Sequence, residues 1–338
     1  MKKYKIRWVL FILALLLVVF AGCSGTKEPA DLKGKDEPKA ENPVPVDNPQ
    51  STGIYNPLTG LYVEKTQNLT AVMIDNLGPA RPQSGLIKAD IIYEIEAEGM
   101  VTRLMALFYG DPPEFVGPVR SARPYYMQIA KEWDAYYAHV GGCDDSWAKL
   151  VEWKIRDIDD LKGHKGFYVD KTRQRPHSTY LKFADALSGK EENGKLKEWS
   201  FIDTPDSTPT YKEINFRYTS TNRVTYKWED DLKAYLRFIN DKPHDDRETG
   251  QQLSANNIIL QYAVHRDLKT QLKHIWVDVI GKGKAEFFLG GQYFEGTWEK
   301  KSMTDPTVFY DDQGKPITLV RGQTWIQVLR PSAEVKKN

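Results

Sequence analysis

Two periods of hydrophobic and polar residues alternate along this chain. Over residues 90–98, Ile91, Tyr93, Ile95 and Ala97 alternate with Ile92, Glu94, Glu96 and Glu98, the period of a strand with one buried and one wet face. An apolar run over residues 69–74 precedes it, and Glu98-Gly99 turns into a further strand over 102–109. The period then changes. Residues 125–136 behind Pro124, residues 146–154, and residues 178–187 ahead of Ser188-Gly189 carry helical spacing. Residues 191–210 are charged, then rich in proline and serine, and mark an internal boundary. Beyond it, strand signals recur at 213–218, 224–228, 257–264, 274–280, 285–289, 292–298, 317–320 and 324–329, and one helix is expected at 230–240. Gly290-Gly291, Asp312-Gln313-Gly314 and Arg321-Gly322-Gln323 supply hairpin connections. The pattern predicts an α+β fold class, with a mixed α/β sandwich in an N-terminal domain (53–205) followed by a mostly antiparallel β-rich domain (206–338).

The N-terminus follows different rules. A basic stretch, MKKYKIR, leads into an apolar run from Trp8 to Phe20 and then Ala21-Gly22-Cys23, the order of a secretory signal with a small-residue cleavage site. The run falls short of the ~20 apolar residues that span a bilayer. Its small-small-Cys ending resembles a lipobox, so residues 1–22 are expected to be removed and Cys23 to carry a diacylglyceryl group, which anchors stably where a single chain does not. Residues 24–52 hold five prolines, interleaved charges and no aromatic residue, so they have little to bury against the entropy of folding and read as a disordered tether. The body is therefore placed outside the cytoplasm, on the outer face of the cytoplasmic membrane.

Composition narrows the classes that remain. With 338 residues, 41% hydrophobic and 28% charged, the chain can bury a sizeable core and is neither collagenous nor disordered overall. The net charge of +1 includes Lys2, Lys3, Lys5 and Arg7; without these four, 43 basic residues face 46 acidic ones. Such a body has no field to gather nucleic acid non-specifically. Beyond Cys23 only Cys143 remains, which rules out an intramolecular disulfide and a cysteine-rich zinc site. The six histidines, at 139, 164, 177, 244, 265 and 274, form neither an i, i+4 pair nor an HExxH motif. No cofactor or metal is expected.

Several stretches together resemble one family: Arg81-Pro-Gln-Ser-Gly-Leu, Ala89-Asp90 with Tyr93-Glu94, Gly117-Pro-Val-Arg-Ser-Ala-Arg123, and Asp170 with Arg173 and Pro176-His177. Phe309-Tyr-Asp311 to Gly314, and Leu319 through Gly322-Gln-Thr-Trp325, belong to the same pattern. They are similar to the YerB-like lipoproteins of Gram-positive bacteria, whose domain is classed as of unknown function. The resemblance implies a mixed α/β sandwich followed by a β-rich part, and it implies no reaction. The family name carries an association with a DNA helicase, a partner that an exported body would rarely meet.

The candidate chemistry is ionic. If a helix begins near Ser121, Arg120 and Arg123 share one face of its first turn, where free N–H groups also favour anions. With Asp170, Arg173 and His177 they would form a surface for an anionic envelope ligand or a protein partner. The competing reading has these arginines paired with Asp144, Asp145 or Asp170 to hold helices against a sheet. A hydrolase of cell-wall glycan or an ester is the alternative, with Asp144, Asp145 or Asp170 as acid or base and His177 as proton carrier. His139 and Cys143 offer the minimum of a thiol nucleophile, and the acidic groups at 144–145, 157–160, 245–246 and 311–312 read as turn caps.

Overall fold

The computed structural model describes residues 52–338 except Lys195; the signal, Cys23 and nearly all of the tether lie outside the described residues. Nine strands of the N-terminal and central chain carry the argument: β1 (Thr66–Asp75), β2 (Ile91–Glu96), β3 (Thr102–Gly110), β4 (Tyr136–His139), β5 (Arg156–Asp159), β6 (Glu213–Thr219), β7 (Asn222–Glu229), β8 (Ala234–Ile239) and β9 (Asn257–Tyr262). They are followed by β10 (Gly281–Leu289), β11 (Gln292–Lys300), β12 (Val308–Asp311), β13 (Thr324–Leu329) and β14 (Val335–Lys337). Ten of these strands form one mixed sheet in the order β12-β11-β10-β9-β13-β2-β3-β1-β4-β5. Strands from both sides of residues 191–210 meet in it where β13 runs parallel to β2, with Thr324 opposite Ile91 and Val328 opposite Ile95.

Each face of this sheet is covered by a different layer. On one side Met73, Tyr93, Ile95 and Met105 pack with Tyr125, Met127 and Ile129 of helix α1 (Pro124–Glu132), with Trp133 just after it, and with Leu150 of α2 (Asp144–Glu152). On the other, Val72, Ile92, Leu104 and Phe108 pack with Phe216, Tyr226 and Tyr235. Those three aromatics belong to a second, antiparallel sheet, whose central order is β8-β7-β6-β14. A sheet faced on both sides needs no wet surface, and all six residues of β2 are buried. The alternation over residues 91–96 is real, but its polar face is covered by β6 to β8.

The chain is β-rich in both halves, and the helical share expected of the N-terminal half is smaller than the pattern implied. Residues 178–187 form a strand, Thr179–Lys182, and a single helical turn, Phe183–Ala186, because Thr179, Tyr180 and Leu181 pair with Val169, Tyr168 and Phe167. Residues 230–240 form a turn and then β8, paired antiparallel with β7 from Val224 opposite Ile239 to Glu229 opposite Ala234. Pairing and burial there override the helical spacing. Helix α1 starts at Pro124 and not near Ser121. The residue before a proline is pushed out of the helical region, and Arg123 is extended at φ −137° and ψ 142°. No helix among the described residues is long and apolar enough to cross a membrane.

Candidate functional site

Three of the stretches singled out in the sequence, those that include Arg81, residues 117–123 and residues 170–177, meet around the end of β1, whereas Phe309–Asp311 lies on β12 at the far edge of the sheet. Gly117 exchanges backbone hydrogen bonds with Ser84, its N–H donating at 3.2 Å and its carbonyl accepting at 2.9 Å. Arg120 N–H donates to the Met73 carbonyl of β1, and Val119 N–H to the Thr179 carbonyl. Residues 117–123 are thus threaded between β1 and the strand that follows His177. Only glycine fits at 117, since a Cβ would sit 2.7 Å from the Tyr180 ring.

Within this convergence the flagged ions are already engaged. Asp75, at the end of β1, accepts from Arg120 Nε at 2.7 Å and from His177 Nδ1 at 2.6 Å on the same Oδ2. Its Oδ1 accepts from Leu77 N–H. Arg120 also donates to the Pro176 carbonyl, and its Nη2 lies 3.4 Å from His177 Nδ1. So Arg120 and His177 meet, joined by an aspartate that the sequence reading had not flagged. Arg123 turns elsewhere: with Arg103 it clasps Glu98, donating from Nε at 2.8 Å. Asp170 accepts from Arg247 Nη1 at 2.5 Å and from Thr172, whose hydrogen bond, with that of Arg247, holds the carboxyl down at about 2. An acid that ionised cannot serve as a general acid near neutral pH. Arg173 donates to the carbonyls of Pro79 and Pro82. Asp144 is the first residue of α2, and Asp145 is exposed beside Lys149. In place of the competing reading's Asp145 or Asp170, which pair with Lys149 and Arg247, Arg120 and Arg123 take Asp75 and Glu98.

The hydrolytic chemistry has a partial counterpart here. His177 bound through Nδ1 to a carboxylate resembles the base-and-orienter half of a nucleophilic site, but among the described residues no hydroxyl or thiol hydrogen-bonds to its ring. Cys143 contacts Ser146 Oγ at 3.1 Å and not His139. The thiol and imidazole that offered the minimum of a nucleophile are separately engaged.

Behind the segment of residues 76–83 lies a polar network sealed between the two sheets. Glu94 and Arg237 are both fully buried and paired at 2.5 Å. Glu94 Oε1 accepts from Asn76 Nδ2 and Thr102 Oγ1 at 3.0 and 2.7 Å. Arg237 donates to the Tyr226 hydroxyl and to His244 Nδ1, and it stacks over the Trp325 ring at 4.4 Å. His244 Nδ1 accepts from a guanidinium and so carries no proton; its Nε2 donates to Gln83 Oε1 at 2.7 Å. The imidazole is therefore neutral, and burial, then Arg237 and Arg81, hold its pKa well below the ordinary histidine value. Gln83 in turn donates to the carbonyl of Asp75. The chain of contacts runs from the buried pair out to the aspartate that holds Arg120 and His177.

A cleft of about 460 Å³ opens over this network, lined among others by Arg81, His244, Asp245, Lys242 and Ile239. Arg81 stands apart from the other arginines here. It is half-buried, and among the described residues its guanidinium has no hydrogen bond or ion pair. Burial lowers its pKa, while Glu94 and Asp75 act on it through space in the opposite sense. Asp245, on the same cleft, has its carboxyl raised by burial and its Oδ1 buried with no partner among the described residues. The sequence marked Arg81 only as part of a motif. The signal available was Arg-Pro at the head of a Gly-containing loop, which fixes the backbone and leaves the side chain to find its own partner.

The comparisons with known proteins cover both layers and this cleft. The N-terminal domain of the Protein of unknown function (DUF3048) family matches residues 58–196, and the C-terminal domain of that family matches residues 214–326. The Bacillus subtilis (strain 168) protein named "Putative lipoprotein YerB" is 32% identical over 287 residues, 81% of this chain and 85% of that protein. A crystal structure of YerB protein from Bacillus subtilis superposes with a TM-score of 0.75 at 29% identity, covering 84% of this chain and 100% of that one. Two matched domains and an identity sustained over most of both chains carry the assignment: this chain belongs to the DUF3048 family.

Proposed function

We propose that this protein is a lipid-anchored, extracytoplasmic binding protein that takes an anionic envelope component, phosphate- or carboxylate-bearing, in the cleft around Arg81. The observation that carries the reading is the unpartnered guanidinium. A desolvated cation normally finds a carboxylate or carbonyl, as Arg120, Arg123, Arg173 and Arg237 do. Arg81 has a cleft in front of it instead, with Lys242 at the rim and apolar Ile239, Pro82 and Pro243 beside it. The planar fork of an arginine suits either oxyanion in a two-point contact. In this reading Arg120, Asp170, Arg173 and His177 are positioning residues. Arg173 grips the carbonyls on either side of Arg81, and Asp75 ties His177 and Arg120 to the strand that leads into the loop. The name of the YerB relative and the signal-like N-terminus with Cys23 support the anchor. Intact mass of the membrane-fraction protein, starting at a diacylated Cys23, tests that part.

The site itself is tested by titrating the full chain with inorganic phosphate and, separately, acetate, following the Arg81 Nε resonance. Saturable movement of that resonance is expected in the wild type, together with the neighbouring Gln83 and His244 side-chain resonances, and the latter two should stay still in Arg81→Gln. An Arg81 resonance unmoved by either anion overturns the site.

A further inference from the structure

We propose that His139, Asp157 and Asp159 form a binding site for a divalent transition-metal ion of the zinc class, separate from the cleft around Arg81. The site is built by two neighbouring parallel strands. In the register of β4 with β5, His139 lies opposite Asp159 and Tyr137 opposite Asp157, so both carboxylates and the imidazole share one face at the carboxyl ends of the strands. Ligands in sheets with parallel strands gather at such ends. One ligand atom from each residue falls within 4.8 Å of the other two.

The hydrogen bonds decide what can occupy the space between them. His139 Nδ1 faces the Gly141 carbonyl at 2.8 Å and donates to it, the second contact that metal-bound histidines commonly make. In a neutral ring this leaves Nε2 as a lone pair, yet Nε2 faces Asp157 Oδ1 at 2.7 Å. Two acceptors so close require a positive charge between or upon them. A second proton on the ring would satisfy this contact alone. Asp159 adds an independent demand. It is fully buried, its Oδ1 accepts from Gly141 N–H and Leu161 N–H at 2.9 and 3.0 Å, and its Oδ2 is buried with no partner among the described residues. A proton on His139 leaves that oxygen unanswered, whereas a cation held by Nε2 and Asp157 answers both once Asp159, whose Oδ1 lies 3.8 Å from the Nδ1 side of the ring, turns its Oδ2 to it.

One imidazole and two carboxylates suit zinc or cobalt better than calcium, which prefers an all-oxygen shell. The two carboxylates balance a divalent charge, and Lys162 Nζ, 2.5 Å from Asp157 Oδ2, occupies the oxygen that the ion would leave free. Asp157 is the partly exposed ligand, so its side offers the entry path and the remaining coordination position. The ordinary helix-type spacings used to find zinc sites in sequence miss this one, because its ligands come from adjacent strands 18 residues apart.

The test uses the full chain in detergent, stripped of metal with a chelator and titrated with Co(II) alone. The visible ligand-field bands of a four- or five-coordinate ion should grow to one equivalent, and Zn(II) should displace them. Asp157→Asn and Asp159→Asn are each expected to weaken binding by roughly 100-fold. Because His139 is wholly buried, Asp157→Asn with an unchanged melting curve is the variant that counts if His139→Gln fails to fold. Absence of a one-equivalent Co(II) spectrum in the wild type, or wild-type affinity in both aspartate variants, overturns the proposal. So would a His139 ring that keeps protons on both nitrogens in the presence of excess Zn(II).

Discussion

The two groups of arginines in residues 76–123 are close in the fold and opposite in condition. Arg120 and Arg123, the charges most conspicuous in the sequence, are fully committed: one to Asp75 and the Pro176 carbonyl, the other to Glu98 and the Ala122 carbonyl. Arg81, which nothing in the sequence distinguished except its motif, has no partner of its own among the described residues and faces a cleft. What separates them is whether a carboxylate arrives from elsewhere in the chain. Asp75 comes from the end of β1 and Glu98 from the turn after β2, so the commitment of a charge is a property of topology and not of local pattern. A saturated cluster stiffens a scaffold; an unsaturated charge at a cleft retains capacity for a ligand.

The sharpest way to test the saturated side is at its deepest point. Removing Arg237 or Glu94 singly, as Arg237→Ala or Glu94→Ala, strands the other charge where it is fully buried between the two sheets. Such a change should cost ~3 to 5 kcal/mol and bring large losses of the denaturation midpoint in urea. A loss below about 1 kcal/mol would mean that water reaches the pair, and the sealed network would not be what holds the two sheets in register.

Arg120→Ala comes next. Asp75 keeps His177 and the Leu77 N–H, so the loss is that of one charged hydrogen bond at a buried acceptor, about 1.5 to 3 kcal/mol. The same measurement should show phosphate affinity reduced only as far as the loop at 76–83 loosens. An Arg120→Ala protein of unchanged stability that no longer binds phosphate would reverse the comparison and return the ligand to Arg120.

How much of this was legible beforehand depends on the distance over which each feature is determined. Strand β13 was readable to the residue, because the Gly322-Gln323 turn and the run from Thr324 to Leu329 are local. The polar face of β2 was readable as polar but not as buried, since β6 to β8 that cover it lie more than a hundred residues on. The start of α1 was readable in principle: Pro124 excludes Arg123 from the helix, and the weight given to anion-binding first turns obscured it. Arg120 and His177 were expected together and do meet, but Asp75, the residue that joins them, was invisible because it directly follows the apolar run of residues 69–74 and carries no motif. The cleft could not be read at all, because Arg81 and Lys242 become neighbours only when the second sheet docks.

The neutral state of His244 gives the network a pH signature. Its folded pKa lies well below the unfolded value of ~6.5. In the window below 6.5 the unfolded chain therefore takes up a proton that the folded protein refuses, and stability falls as pH falls through it. Asp90 acts in the opposite sense: burial lifts it to about 7, so the folded state binds its proton first and gains stability as pH falls toward 3.8. Comparing wild type with His244→Gln at each pH cancels Asp90 and isolates the histidine. The advantage of the wild type should shrink by about 1.4 kcal/mol per pH unit below 6.5. A difference independent of pH between 6.5 and 5 would show that His244 is charged in the fold, which its hydrogen bond from Arg237 does not permit.

The smallest expected effect carries the most weight. Arg81→Gln deletes a charge that makes no hydrogen bond or ion pair among the described residues and that burial disfavours. Its interactions with Glu94 and Asp75 act only through space, and Arg237 repels it. These contributions oppose one another, so the change in stability should stay within about 0.5 kcal/mol of zero, while the response to phosphate disappears. Stability unchanged and binding lost is the combination that a scaffold arginine cannot give. A loss near that of Arg120→Ala would instead place Arg81 among the committed charges, with a partner that forms when the loop of residues 76–83 moves, and the cleft would lose its claim to a ligand.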